Sequence, residues 1–336
     1  MSDDLPPHPA LLPAGLSDVL PPEAETEAAA VEALLQVFAA HGYQRVKPPL
    51  LEFEESFLAG SGAAVAEQTF RLMDPDSHRM MAVRSDTTPQ VARIATTRLA
   101  GWARPLRLAY AGQCLRVRGN HLVPDRQVAQ AGIELIGVDS PAADAELVLV
   151  GAEALASAGL TRISFDLTLP PLVPAVLDAA SVPEAARKAL VHALDRKDAA
   201  AVKQHGGALA GMLIELLLSA GAAPRALAAL SAAELPPAAR LLAGRLAETV
   251  AEIGAHAPEP KLTVDPIEFR GFRYHTGVCM TVYAPGRHEE VGRGGRYLCG
   301  EAEAATGLTL FPDAVLRASP RRAPRTWARR RMRCVA

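Results

Sequence analysis

Gln127-Val-Ala-Gln-Ala-Gly-Ile-Glu134 is the stretch whose reading decides the fold. Its alternation is that of a β-strand, and Gln130, Gly132 and Glu134 recur at i, i+2 and i+4, so they share one face. Two polar residues flanking a glycine leave room for a ligand above a sheet. A buried glutamate in that place needs a hydrogen-bonding or cationic partner. The plainer alternative is a solvated sheet face with an ordinary salt bridge. Arg107-Leu-Ala-Tyr-Ala111 and Cys114-Leu-Arg-Val-Arg118 alternate in the same way and are predicted as strands on either side of a loop.

Upstream, residues 23–41 read as a helix. Val31, Leu34, Leu35 and Phe38 fall on one stripe, and Gly42 supplies the stop. Residues 43–52 are extended and proline-limited, and a loop surrounds Gly60 and Gly62. Phe70 to Met73 and Met80 to Arg84 form a hairpin about Asp74-Pro-Asp-Ser77. Residues 88–99 are helical, with Pro89 in the first turn. Downstream, 141–160 is a helix and 162–167 a strand. Residues 171–256, rich in alanine and leucine, form a helical insert or subdomain. Strands resume at Lys261 and continue through Gly277 to Tyr283. The pair Gly294-Gly295 reads as a bend between strands or a close approach to ligand, and 305–316 as a last strand and helix. Antiparallel strands interrupted by helices make an α+β fold, not a doubly wound parallel one. There is no P-loop and no G-x-G-x-x-G after a strand.

The chain has 336 residues, 49% hydrophobic and 21% charged, which excludes a disordered protein. The longest apolar run, 208–223, is interrupted by Glu215, so no membrane partner is expected. The acidic, proline-rich start lacks the marks of a signal peptide, and a cytoplasmic location is expected. Cys114, Cys279, Cys299 and Cys334 form no C-x-x-C pair, so neither a disulfide framework nor a metal site is expected. The net charge of −2 hides eight arginines from Arg317 onward with no acid among them, and removing those eight leaves residues 1–316 at −10. An acidic body is a poor nucleic-acid surface. Residues 317–336 read as a basic, disordered tail rather than an RNA grip, beyond a core of residues 1–316.

Three segments place polar groups where strands should bury apolar ones: Val83 to Pro89, Leu115 to Glu134, and Glu268 to Gly277 followed by Gly294 to Tyr297. Together they resemble a known family. Tyr43-x-x-Val-x-x-Pro-x-Leu-Glu52 is similar to the first signature motif of class II aminoacyl-tRNA synthetases, and residues 107–137 to the second. Gln130-Ala-Gly-Ile-Glu134, Arg270-Gly-Phe-Arg-Tyr-His275 and Gly294-Gly-Arg-Tyr297 resemble the histidine-binding blocks of histidine–tRNA ligases, in order. The resemblance spans about residues 10–316 and implies a class II synthetase-like antiparallel sheet flanked by helices.

The departures matter as much. Arg118 stands where the ligase pattern has an ATP-binding glutamate. Asp313 and Ala314 stand where the third motif ends in Glu-Arg, and Tyr274-His275 replaces paired tyrosines. The sequence ends where the ligase's anticodon-binding domain would be expected to begin. With Arg84 to Arg93 and Arg116-Val-Arg-Gly-Asn120, this pattern resembles the regulatory-subunit family of ATP phosphoribosyltransferase. Phe272 and Arg273 depart from that family's Tyr-Asp, which bears on pairing in that loop.

This second resemblance implies a subunit with no independent catalysis and no cofactor. Its partners would be a short catalytic subunit, free histidine as feedback effector, and a second copy in a homodimer formed through the first-motif region. tRNA is not an expected partner. By the same resemblance Asp86 and Thr88, with Gln130 assisting, take the effector's ammonium. Arg116 and Arg270 take its carboxylate, Glu134 and His275 read the imidazole nitrogens, and Tyr297 closes the pocket beside Tyr274. Plainer alternatives stand beside each role. Asp86 could cap the following helix, the arginines could form structural ion pairs, His275 could be structural, and Tyr274 could simply pack. A diverged ligase or a stand-alone histidine sensor is the rival reading.

Overall fold

A computed structural model describes residues 11–119, 123–257, 260–268, 274–300 and 302–319. The first half runs α1 (Glu23–Ala40), β1 (Gln44–Arg45), β2 (Leu51–Phe53), α2 (Glu54–Phe57), β3 (Arg71–Met73), β4 (Met80–Val83), α3 (Thr88–Thr96), β5 (Leu106–Leu115), β6 (Gln127–Ile136) and α4 (Pro141–Ser157). After β7 (Ser164–Thr168) come α5 (Leu172–Ala179), α6 (Glu184–Asp195), α7 (Ala199–His205), α8 (Ala210–Ser219), β8 (Gly221–Ala222), α9 (Ala223–Ala232) and α10 (Pro237–His256). The chain returns through β9 (Lys261–Asp265), β10 (His275–Tyr283), β11 (Glu290–Cys299), β12 (Glu303–Leu310) and α11 (Pro312–Ala318).

Local chemistry sets the ends of these elements. α1 begins with Glu23 and Glu25 in its first turn, where the helix dipole favours acids. It buries Leu34, Leu35 and Phe38 and stops at Gly42, whose φ of 82° suits a residue without a β-carbon. α4 is capped by Ser140, whose side chain accepts the Ala143 N–H at 3.2 Å, and Pro141 follows.

Nine strands form one sheet in the order β1-β5-β6-β12-β11-β10-β7-β9-β8. The six central strands, β5 to β7, are antiparallel, as expected. The flanks depart from that expectation, because β1 runs parallel to β5 and β9 parallel to β7. β2, β4 and β3 make a separate antiparallel sheet that contains the expected hairpin. Around Gly60 the expected loop is a 3-10 helix, Gly60–Gln68.

One strand reading is corrected here, and of two alternatives left open at Gly294-Gly295 one is excluded. Residues 107–118 are not two strands about a loop: β5 passes unbroken through Gly112, where a β-carbon would lie 2.5 Å from the Arg84 guanidinium. Gly294 and Gly295 are likewise inside β11 rather than at a bend. Both sites are close approaches, not turns.

The sheet's two faces differ. One packs on α1 and α4 through Ala131, Ile133, Leu135, Leu308 and Leu310, in a hydrophobic cluster that also takes in the helices of 172–256. Short β8 adds those helices to the sheet edge beside β9. The other face carries a smaller cluster beneath α3, around Val91, Tyr110 and Tyr297, and beside it lies a cleft. Arg317, assigned above to the tail, ends α11 and pairs with Glu289 at 3.0 Å. Residues 320–336 lie outside the described residues.

Candidate functional site

An open cleft lies over the middle of the sheet. Its floor is backbone. β6 places Glu134 opposite Gly307 of β12, and Gly307 lies opposite Gly295 of β11. A β-carbon on Gly307 would stand 1.9 Å from the Glu134 carboxylate, and one on Gly132 would stand 2.4 Å from the Tyr110 hydroxyl. Gly295, with φ +152°, leaves no room beside Cys279 and His275. The absent side chains let Tyr110, Glu134, Cys279 and His275 lie directly on the strands.

Glu134 is 1% exposed, so the solvated-face alternative fails. Thr88 Oγ1 donates to one carboxylate oxygen at 2.8 Å and Tyr297 Oη to the other at 2.9 Å. Burial outweighs these bonds and pushes the carboxyl up to about 8, with the charge of Asp86 adding to the rise. The group therefore holds a proton at neutral pH, and can release it to solvent when a ligand N–H comes to donate in its place. Tyr297 is a holder of Glu134 here, not a lid.

Gln130 is fixed from two sides. Its Oε1 accepts the Thr87 N–H at 3.0 Å and the Cys114 Sγ–H at 3.1 Å. Burial pushes the Cys114 thiol up to about 12, so it remains a donor. With its oxygen occupied, Gln130 offers a ligand only amide N–H groups. That suits an acceptor atom, not the ammonium it was expected to help hold.

Asp86 caps a helix and also faces the cleft. Oδ1 accepts the Thr88 N–H at 3.2 Å, capping the first turn of α3, while Oδ2 is engaged by no described residue and the side chain lines the cleft. Arg116 forms no ion pair among the described residues and also lines the cleft, so the structural-pair alternative does not hold there. Tyr274 and His275 stack with ring centroids 4.0 Å apart, and Tyr274 meets Tyr297 edge-on at 6.3 Å. Burial, and then the charge of Arg293, lower the His275 pKa to about 3, so its ring is neutral. Arg270, Phe272 and Arg273 lie outside the described residues. Every other site residue expected from sequence lines this one cleft.

The arrangement combines the Asp86 carboxylate, the protonated Glu134 carboxyl, the guanidiniums of Arg116 and Arg293, and a neutral aromatic wall. It complements a small zwitterion with a polar side chain. Among the described residues no cluster of ligating side chains could hold a metal ion.

A model of the histidyl-tRNA synthetase family matches residues 15–315. An ATP phosphoribosyltransferase regulatory subunit of Gluconobacter oxydans is 54% identical over 314 residues, covering 94% of this chain and 82% of that protein. The chain belongs to the ATP phosphoribosyltransferase regulatory subunit family. Among solved structures, an ATP phosphoribosyltransferase regulatory subunit/histidyl-tRNA synthetase from Bacillus halodurans matches with a TM-score of 0.80 at 23% identity, covering 92% of this chain and 82% of that one. A chain of the ATP phosphoribosyl transferase (HisG:HisZ) complex from Thermotoga maritima matches at 0.66 and 17% identity, covering 85% and 97%. These two likenesses show the shared fold.

Within this regulatory-subunit family member, the positions that depart from the ligase pattern have visible places. Arg118 is exposed. Asp313 accepts the Ala129 N–H at 3.0 Å, where β6 has run past the end of β12. Ala314 is 3% exposed and belongs to the core. Sequence reading missed Arg293, Thr309 and Phe311, all of which line the cleft. A signal existed for the first: Arg293, Gly295 and Tyr297 repeat the i, i+2, i+4 pattern of β6.

Proposed function

We propose that this chain is a non-catalytic regulatory subunit of ATP phosphoribosyltransferase, required for the activity of a short catalytic subunit and relaying feedback inhibition by free histidine. The observation that carries the ligand is the buried Glu134 carboxyl, set between Thr88 and Tyr297 over a glycine floor. Its oxygens accept an imidazole N–H, Asp86 Oδ2 takes the ammonium, and Arg116 takes the carboxylate, with Arg270 beside it by resemblance. Gln130 donates to an acceptor atom of the ligand. The family's name and the complex in which the Thermotoga maritima relative is found support the partner.

A homodimer forms through the β2-β4-β3 sheet. Cross-strand register puts Leu51, Phe53, Leu72, Met81 and Val83 on one face, while Glu52 on the other face binds Gln90 and Arg93 of α3. Leu51 and Leu72 are each 38% exposed, an apolar face open to a second copy. Among the described residues no helix is long and apolar enough to cross a membrane, and we place the protein in the cytoplasm. Histidine inhibits only if it binds the inhibited complex more tightly than the active one.

The test is the activity of the cognate short catalytic subunit with and without this chain, across a histidine titration. Stimulation by the chain, reversed by histidine, is the expected result. Histidine binding without any effect on that activity would instead make the chain a stand-alone sensor. Adenylation of histidine by the chain alone would make it a diverged ligase.

A further inference from the structure

Arg293 is a cation in the cleft to which the family resemblance gives no role. It follows Val291 and Gly292 on β11 and shares a face with Gly295 and Tyr297. Across the sheet it stands level with Thr309 of β12 and Gly132 of β6. Its one ion pair among the described residues is with Glu290, three positions back on the same strand. Its Nε is buried and has no hydrogen-bond partner. A buried donor left open in this way is unfavourable. Burial and the like charge of Arg116 lower its pKa, and the charge of Asp86 offsets this only in part. Arg116 itself has no counter-ion among the described residues. An anion seated between them relieves the repulsion and gives the idle donors an acceptor.

We propose that Arg293 joins Arg116 as a two-guanidinium site for the carboxylate of the amino-acid effector. This rests on the histidine-binding reading above and adds to it the residue that makes a free amino acid, rather than its amide, the preferred ligand. Glu134 and Asp86 occupy the acidic part of the cleft and recognise donors. The carboxylate then lies on the arginine side, and the Arg293 side chain exchanges Glu290 for it on binding. Phe311, whose ring centroid is 5.7 Å from the guanidinium carbon, limits where that side chain can swing. A phosphate shares the chemistry of a carboxylate here, so the test must separate the two.

Calorimetric titration of the full chain, wild type, Arg293→Gln and Arg293→Lys, with L-histidine, L-histidinamide and inorganic phosphate does so. Arg293→Gln should weaken L-histidine about ten- to hundredfold, the range for a charge-assisted hydrogen bond. It should leave L-histidinamide within about twofold, so that the preference for the free acid collapses. Arg293→Lys should retain part of that preference, and it carries the same comparison if the glutamine variant folds poorly. Equal losses for both ligands would reduce Arg293 to a structural role and overturn the proposal, as would an unchanged affinity for L-histidine. Wild-type chain that binds phosphate through Arg293 but no L-histidine would overturn the carboxylate assignment together with the histidine reading. Wild-type chain that binds L-histidine with no contribution from Arg293 would overturn the assignment alone.

Discussion

Glu134→Gln removes the ionisable group at the bottom of the cleft, and its effect on stability should change sign with pH. Burial holds the Glu134 carboxyl near 8, against an ordinary value of 4.5. Between those values the folded chain keeps a proton that the unfolded chain has released. By linkage, the associated stability is complete below about pH 4.5, falls as pH rises through the window, and is lost above about 8. The slope is about 1.4 kcal/mol per pH unit. Over the whole window this reaches about 5 kcal/mol, and between pH 6 and 7.5 about 2 kcal/mol. Glutamine carries no charge, so the slope disappears. What remains is a constant cost: its NH2 must face the hydroxyl of Thr88 or Tyr297, both donors to the present carboxyl, for about 1 kcal/mol. The two chains should therefore cross at about pH 5, with the wild type the more stable below it and the variant above it, by about 3–4 kcal/mol at pH 8.5. Urea midpoints of both chains at pH 5.5, 6.5, 7.5 and 8.5, compared at equal m-value, measure this directly. A difference between the chains that stays constant across that series would refute a protonated Glu134 in the empty cleft.

The same proton bears on ligand binding. If ionised Glu134 accepts a ring N–H from neutral imidazole, histidine affinity should rise close to tenfold per pH unit from 6.5 towards 8, with proton release visible as a buffer-dependent binding enthalpy; an affinity flat over that range would mean the proton stays in the site. Asp144→Ala should destabilise the fold by about 3–5 kcal/mol, because it strands the Arg296 guanidinium, whose Nη2 now meets Asp144 at 2.9 Å in the interior. Asp139→Ala, which removes a more exposed partner of the same arginine, should cost less than about 1 kcal/mol in the same denaturant series. Leu72→Asp should turn a dimer into a folded monomer by sedimentation; a dimer that survives it would move the interface away from the β2-β4-β3 sheet.

Strand alternation made the heart of the site legible. Gln130, Gly132 and Glu134 do share the cleft face, and the partner that a buried glutamate requires is there, as two hydroxyls. Where reading fell short, glycine was involved. The loop expected within 107–118 falls at Gly112 inside β5, and the sequence leaves Gly294-Gly295 open between a bend and a close approach, because glycine marks both. What distinguishes the two is the atom that comes near, here the Arg84 guanidinium against Gly112 and the carbonyl of Gly307 against Gly294. Those atoms are distant in sequence, so local pattern cannot supply them. With a bend left open at Gly294-Gly295, the alternation of β11 has no fixed phase in the sequence, and Arg293 has no assigned face. The role of Gln130 was illegible for a different reason. Which end of an amide faces a ligand depends on its other partners, Thr87 and Cys114.

The glycine floor also determines what kind of change erases the site. Alanine scanning deletes atoms at nearly every position, but at Gly307 it adds one, 1.9 Å from a Glu134 oxygen. That oxygen is the far end of a side chain held by Thr88 and Tyr297, so the added methyl group forces the carboxyl out of its hydrogen bonds while the strand stays in place. One carbon would then dislodge the group at the bottom of the cleft without removing a polar atom. The specificity of this sheet is stored partly in missing β-carbons whose places its polar side chains occupy, and a survey confined to charged and polar side chains would pass over the positions that seat them.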